Sequence, residues 1–170
     1  NAKKTFLYDF LISENMHQKV KFSRERTAKA FKRYLGEINK DHLVRWFERD
    51  LPDAINRFIF AFDGQGKFEQ FGEEVDISDA SIRAIRRIRH ASKGPPHPLV
   101  MHILKRAALP ENDPRSFNSD ETEKVLIALE GWLFRVLLNS ESHTNLRLWM
   151  LNNIGNLDEA CINDDASGVR

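Results

Sequence analysis

The sequence predicts an all-α fold, a single irregular bundle of about seven to eight helices. Apolar residues recur at helical spacing along most of the chain. Gly, Pro and capping residues cut those stretches into elements with short connections, which favours antiparallel neighbours. No convincing strand pair is present. The chain has 170 residues, which at about 150 per domain predicts one domain. A chain of this size buries roughly 70% of its unfolded surface, so it needs no disulfide or metal to fold.

The first helix is carried by Phe6, Leu7, Phe10 and Leu11, and Ser13-Glu14-Asn15 breaks it. A second, from about Ser23 to Leu35, has Ala28, Phe31 and Leu35 as its apolar stripe and Gly36 as its stop. Asp41 can cap a third, whose buried side is Leu43, Val44, Trp46, Phe47 and Leu51. Pro52 suits the first turn of a further helix through Ile55, Phe58, Ile59 and Phe62. One bent helix, or two in series, fits residues 41–62 equally well.

Residues 64–76 are rich in Gly and Glu and predict an ordered loop with a strand-like piece, anchored by Phe68 and Phe71. Ser78 caps the next helix and Asp79 suits its first turn. Ile82, Ile85 and Ile88 mark its docking face, and Ser92-Lys93-Gly94-Pro95-Pro96 ends it. Pro98 opens a helix whose core side is Leu99, Val100, Ile103, Leu104 and Ala107. After a loop over 110–118, Ser119, Thr122 and Glu123 open a long helix through about Asn139, with Leu126, Leu129, Trp132, Leu133 and Val136 among its apolar set. A last helix spans about Thr144 to Ile154.

Asn1-Ala2 reads as a tag remnant, residues 3–155 as the helical domain and residues 156–170 as a polar tail or linker. One cysteine, Cys161, excludes a disulfide framework and a thiolate zinc site. No run approaches 18 apolar residues and no signal peptide is evident, so a cytoplasmic protein without membrane contact is expected.

No residue pattern displays catalytic or cofactor chemistry. The six histidines form no His-Glu-x-x-His motif, although a histidine-lined pocket built by convergence in space would make a small enzyme. Asp63-Gly64-Gln65-Gly66 lacks the third Gly and the Lys-Ser/Thr of a phosphate loop, so it is a turn. No metal or cofactor is therefore expected.

Charge is uneven. Residues 1–60 hold 13 Lys/Arg and 8 Asp/Glu, a net of +5; residues 94–170 hold 7 and 11, a net of −4. Lys19, Lys21, Arg24, Lys29, Lys32 and Arg33 form the least compensated run and the first candidate for DNA phosphates or an acidic partner. Phe22 and Tyr34 add stacking surface, though core packing explains them as readily. Arg83, Arg86 and Arg87 are a second candidate set, with internal pairing to Glu73, Glu74 and Asp76 slightly favoured. Arg135 stands in an apolar stretch, Leu133-Phe-Arg-Val-Leu-Leu138, and there needs a carboxylate, a helix C-terminus or water. With Asp9, Glu130 or Asp50 as partner it becomes a structural clamp between helices, alongside a structural Trp132.

The segment His97-Pro-Leu-Val-Met-His-Ile-Leu104, with Leu129-Glu-Gly-Trp-Leu-Phe-Arg135 beyond it, resembles the helical region of a bacterial family. Its members join a ParB-like nucleotide-hydrolysing domain to helices and often to a His-Asn-His nuclease domain. They include GmrSD-type restriction enzymes and related phage-defence proteins. Phe6-Leu-Tyr-Asp-Phe-Leu-Ile-Ser13 is similar to the helix that follows the ParB-like domain, so the resemblance covers about residues 3–155. The family's Asp-Gly-Gln-Gln-Arg and His-Asn-His motifs are absent; Asp63-Gly-Gln-Gly66 has neither the Arg nor the preceding strand. The resemblance implies a non-catalytic middle module that positions flanking domains of its parent chain and contacts double-stranded DNA. The rival expectations are an interaction domain docking an acidic partner and the histidine-pocket enzyme.

Overall fold

The computed structural model describes residues 2–14, 26–92 and 96–139, with Trp149, Asn152 and Ile154. Among these the regular structure is helical apart from one small hairpin. Helix α1 is Ala2–Ser13, α2 is Thr27–Glu37, α4 is Asp79–Ala91, α5 is His97–Ala107 and α6 is Ser119–Leu138. Helix α3 is one rod over residues 40–63: an α segment Lys40–Arg45, a π turn Trp46–Asp50 and an α segment Leu51–Asp63. Trp46 and Leu51, at the joins, keep right-handed helical dihedrals.

The described residues thus hold six helical rods against the seven to eight expected: the stretch that could have been two helices is one, and the expected last helix lies outside the described residues. Pro52 explains where the rod changes pitch. It lacks the N–H that would close an α turn, and the wider π turn lies directly before it. The expected helix over 144–154 lies outside the described residues, save Trp149, Asn152 and Ile154, which are helical. The tail 156–170 also lies outside them, and Ala2 falls within α1.

Helix α5 is the centre of the bundle. Nine of its eleven residues are buried, which requires neighbours on several sides. It packs against α1, α3 and α6, while α4 lies along α6 and against α3. In α1 every residue from Tyr8 to Ser13 is buried, so its end is enclosed rather than amphipathic. An aromatic cluster of Phe10, Phe31, Tyr34 and Trp46 joins α1, α2 and α3, with centroids 5.3–6.3 Å apart.

Capping decides the boundaries. Ser78 Oγ accepts the Ser81 N–H at 3.1 Å, as its place before α4 predicts. Asn39, not Asp41, caps α3, its Oδ1 accepting the Asp41 N–H. Helix α6 opens on a capping box: Asn118 accepts the Glu121 N–H at 2.9 Å and Glu121 accepts the Asn118 N–H at 3.0 Å. Gly64 ends α3 with φ of +55°, and a Cβ there would sit 3.0 Å from Arg86 Cγ.

The strand-like piece is an antiparallel hairpin, β1 (Glu69–Gln70) and β2 (Glu73–Glu74), with Gln70 opposite Glu73, a short strand pair where none was expected. Its two-residue loop, Phe71-Gly72, has φ of +58° and +80°, the sign pattern of a type I′ turn. Asn or Gly is usual at the first position; a Phe there is strained. Phe71→Asn is expected to raise stability by about 1 kcal/mol. An unchanged urea midpoint would show that the ring's contact with Arg49, 4.3 Å from its centroid, offsets the strain.

The apolar faces divide unevenly. On α2, Ala28 is exposed and Ala30 takes the buried place. On α3, Trp46, Ala54, Phe60 and Ala61 face the core. Val44, Phe47, Ile55, Ile59 and Phe62, read above as parts of the helical core pattern, lie 39–64% exposed. This helix is apolar on both sides, and one side suffices to close the core.

Candidate functional site

Helix α2 buries Thr27 and Ala30 and leans Phe31 and Tyr34 on the core, which leaves the opposite face to solvent. Lys29, Lys32 and Arg33 stand on that face and are all exposed. Arg33 makes an i,i+4 contact with Glu37 at 3.7 Å, with both side chains 41–60% exposed, a pair of little strength. Lys19, Lys21 and Arg24, with Phe22, lie outside the described residues. Tyr34 packs edge-on against Phe10 at 5.3 Å, so it belongs to the core rather than to a stacking surface.

Three of the four arginines of α4 are engaged within the molecule, with different partners from those expected. Arg86 donates to the Gly64 carbonyl at 2.9 Å. Arg87 grips Glu130 of α6 with two nitrogens, and Arg89 pairs with Asp63 at 2.7 Å. Of Glu73, Glu74 and Asp76, only Glu74 has a described ion pair, with Lys67. Arg83 is exposed.

Among the described residues Arg135 makes no clamp between helices. It is exposed, and its Nε donates to the Gly131 carbonyl of its own helix at 3.3 Å. Its apolar neighbours in sequence point elsewhere: Leu133 and Val136 go inward, Phe134 and Leu138 outward. The three candidate acids are placed otherwise, Glu130 on Arg87, Asp9 near His97, and Asp50 on the wall of a cavity. Trp132 stacks on Trp149 with centroids 3.5 Å apart, a structural contact.

Two arginines are buried, Arg106 on α5, which donates to the Arg115 carbonyl at 2.8 Å, and Arg57 on α3. The Arg57 side chain is 6% exposed, and it donates to Gln70 Oε1 at 3.0 Å and to Glu14 at 3.5 Å. Glu14, at the end of α1, also accepts from Lys105 of α5 at 2.6 Å. Three helices and the hairpin thus meet on one charge network. Burial alone would raise the Glu14 carboxyl, but Lys105 and Arg57 outweigh it and hold it below its ordinary value of 4.5. Burial, then the Glu14 charge, pushes the Tyr34 phenol up to about 12.

Around this network is a half-enclosed cavity of about 180 Å³, lined by Glu14, Asp50, Asp53, Arg57, Gln70 and Lys105, with Phe10, Tyr34, Trp46, Phe71 and Leu109 as apolar walls. Asp53 is 6% exposed; one of its oxygens accepts the Phe71 N–H at 3.1 Å. Among the described residues, its Oδ2 and the Arg57 Nε have no hydrogen-bond partner. The cavity shares Gln70, Phe71 and Leu109 with a wider groove of about 940 Å³ that runs along the 107–121 segment.

Among the described residues neither His97 nor His102 belongs to a metal set. His102 Nδ1 lies 2.9 Å from the Ser13 carbonyl, and His97 is buried against Phe62. Among the described residues no group of three His, Cys, Asp or Glu is arranged to hold a metal, and no helix is long and apolar enough to cross a membrane. His17, His143 and Cys161 lie outside the described residues.

Arg57, Glu14, Asp53, Gln70 and Lys105 were not singled out by sequence reasoning as a site. The signal for Arg57 was nevertheless present, an arginine inside Ile55-Asn-Arg-Phe-Ile-Phe-Ala-Phe62. Compared with models of protein families, with curated proteins and with solved structures, the chain matches none.

Proposed function

We propose that this chain is a non-catalytic helical module of a larger restriction- or defence-type protein, one that holds neighbouring domains in place and touches DNA phosphates through α2. The observation that carries the reading is the outer face of α2. Lys29, Lys32 and Arg33 occupy i, i+3 and i+4, which puts three cations within about 6 Å of helix axis. Among the described residues the ion pair that engages them is a weak surface one, Arg33 with Glu37, whereas three of the four α4 arginines, Arg86, Arg87 and Arg89, are already bonded within the molecule. Phosphate contacts of this kind position a protein on a duplex without reading its sequence. The similarity of the Pro98-led helix and the Leu129–Arg135 stretch to ParB-like/His-Asn-His proteins supplies the setting, a cytoplasmic parent chain with its chemistry in flanking domains.

The triple variant K29E/K32E/R33E tests it. All three positions are exposed, so folding is retained, and affinity for a plain 20-base-pair duplex should fall at least tenfold in fluorescence anisotropy. Equal affinity would remove α2 as the contact.

A second reading has its own observation. Val44, Phe47, Ile55, Ile59 and Phe62 expose an apolar row on α3, which suits a neighbouring domain of the same parent chain rather than a duplex. Absence of any duplex binding at low salt would favour it.

A further inference from the structure

We propose that the apolar row on the outer side of α3 is a self-association surface, on which a second copy of this chain docks with its own α3 running antiparallel. The row is Val44, Phe47, Leu51, Ile55, Ile59 and Phe62; Leu51 is half-buried and the other five are exposed. Steps of 3, 4, 4, 4 and 3 residues keep them on one stripe of the rod. At about 150–200 Å² for a large apolar side chain, the five exposed ones present roughly 400 Å² to water, as much as the largest patch of a typical monomer. Pairing through α3 needs nothing from the cations of α2.

The spacing identifies the occupant. It reads the same in both directions and is centred on Asp53. A two-fold pair of copies needs a patch that complements itself, and a face fitted to a different domain is under no such constraint. Laid antiparallel about that centre, Val44 of one copy meets Phe62 of the other, Phe47 meets Ile59 and Leu51 meets Ile55. In two of these three pairs a ring faces a branched aliphatic side chain, so the rows interdigitate. Asp53 itself is buried on the inner side of the rod, and no charge stands on the axis. Charge also fixes the direction. From 51 to 62 every exposed residue of α3 is uncharged, while Arg45, Glu48 and Arg49 are exposed before it. The antiparallel arrangement lays the charged half of each rod on the uncharged half of the other. The two Arg45 residues are then about 24 Å apart along the axis, well beyond the Debye length, whereas parallel rods would set them side by side. Two such faces with their rims reach the low end of specific interfaces, ~1,200 Å² in all, so the expected pairing is weak, with a micromolar Kd.

Sedimentation velocity of the full chain from ~5 to ~500 μM tests this, a range that spans a micromolar Kd. The mass should rise with concentration from that of one copy toward that of two. Phe47→Glu and Ile59→Lys each set a charge against an apolar side chain of the other copy and should weaken pairing at least tenfold. Both positions are exposed in the single copy, so folding is retained. An equimolar mixture of the two variants should restore pairing. Position 47 of one then meets position 59 of the other with opposite charge, and the second such contact stays Ile against Phe. A chain that is still a monomer at the highest concentration leaves the row to a neighbouring domain and would overturn the proposal. So would a dimer that both variants leave intact, or a mixture that pairs no better than its components.

Discussion

Glu14→Gln is expected to destabilise the protein by about 3 kcal/mol, measured by urea unfolding at pH 7. The substitution keeps the shape and removes only the charge. Arg57 is then left at 6% exposure with Gln70 as its remaining hydrogen-bond partner and with Asp53 and Asp50 further off. Lys105 is 35% exposed and can turn to water, so the loss falls mainly on Arg57. Breaking a buried pair from one side costs ~3–5 kcal/mol, and the nearby aspartates put this case at the lower end. Arg57→Met should cost less, because Glu14 keeps Lys105 and no guanidinium is left buried without its carboxylate. The acid limb gives a second readout. Glu14 is held below 4.5, so its contribution is present above that value and is lost as pH falls through its folded value. The Gln variant lacks that loss. A Gln variant within about 0.5 kcal/mol of wild type would show that Gln70 and the aspartates suffice for Arg57.

The second large effect is a loss of stability between pH 6.5 and 4, set by His97. Burial, then the positive Arg89, pushes this histidine from 6.5 down to about 4. Asp9 Oδ2, 3.9 Å from its Nδ1, is too distant for a hydrogen bond that would hold the charged form. As pH falls below 6.5 the unfolded chain takes up a proton that the native state refuses until about 4. Stability is therefore full above 6.5 and declines through that window, by about 3 kcal/mol in all. His97→Phe keeps the ring contact with Phe62 and should flatten the profile between pH 6.5 and 4.5, above the range where Glu14 acts. A wild-type profile already flat over that interval would mean that Asp9 stabilises the protonated ring.

What the sequence made legible follows from how local each signal is. The start of α4 is written in Ser78 and its docking face in Ile85 and Ile88, because a cap and a 3.6-residue stripe need only their own helix. The box at Asn118-Ser-Asp-Glu121 is equally local and starts one residue before the Ser119 that the spacing favours. The faces of α3 were not legible, since an all-round apolar helix does not say which side the bundle will cover. The Phe71-Gly72 turn was hidden for the opposite reason, a residue that turn chemistry disfavours. Arg57 and Arg135 show the limit most clearly. Both stand in apolar helical stretches, and the same argument applies to each. Only the packing of α1 and α5 against α3 makes Arg57 the buried one, while Arg135 falls on the outer side of α6.

The salt dependence of duplex binding tests the central claim most directly. Three phosphate contacts from Lys29, Lys32 and Arg33 predict that log K falls against log salt with a slope of about −2.7, from micromolar affinity at low salt, and that K29E/K32E/R33E loses that slope. No binding at low salt, or a slope unchanged in the variant, would contradict it.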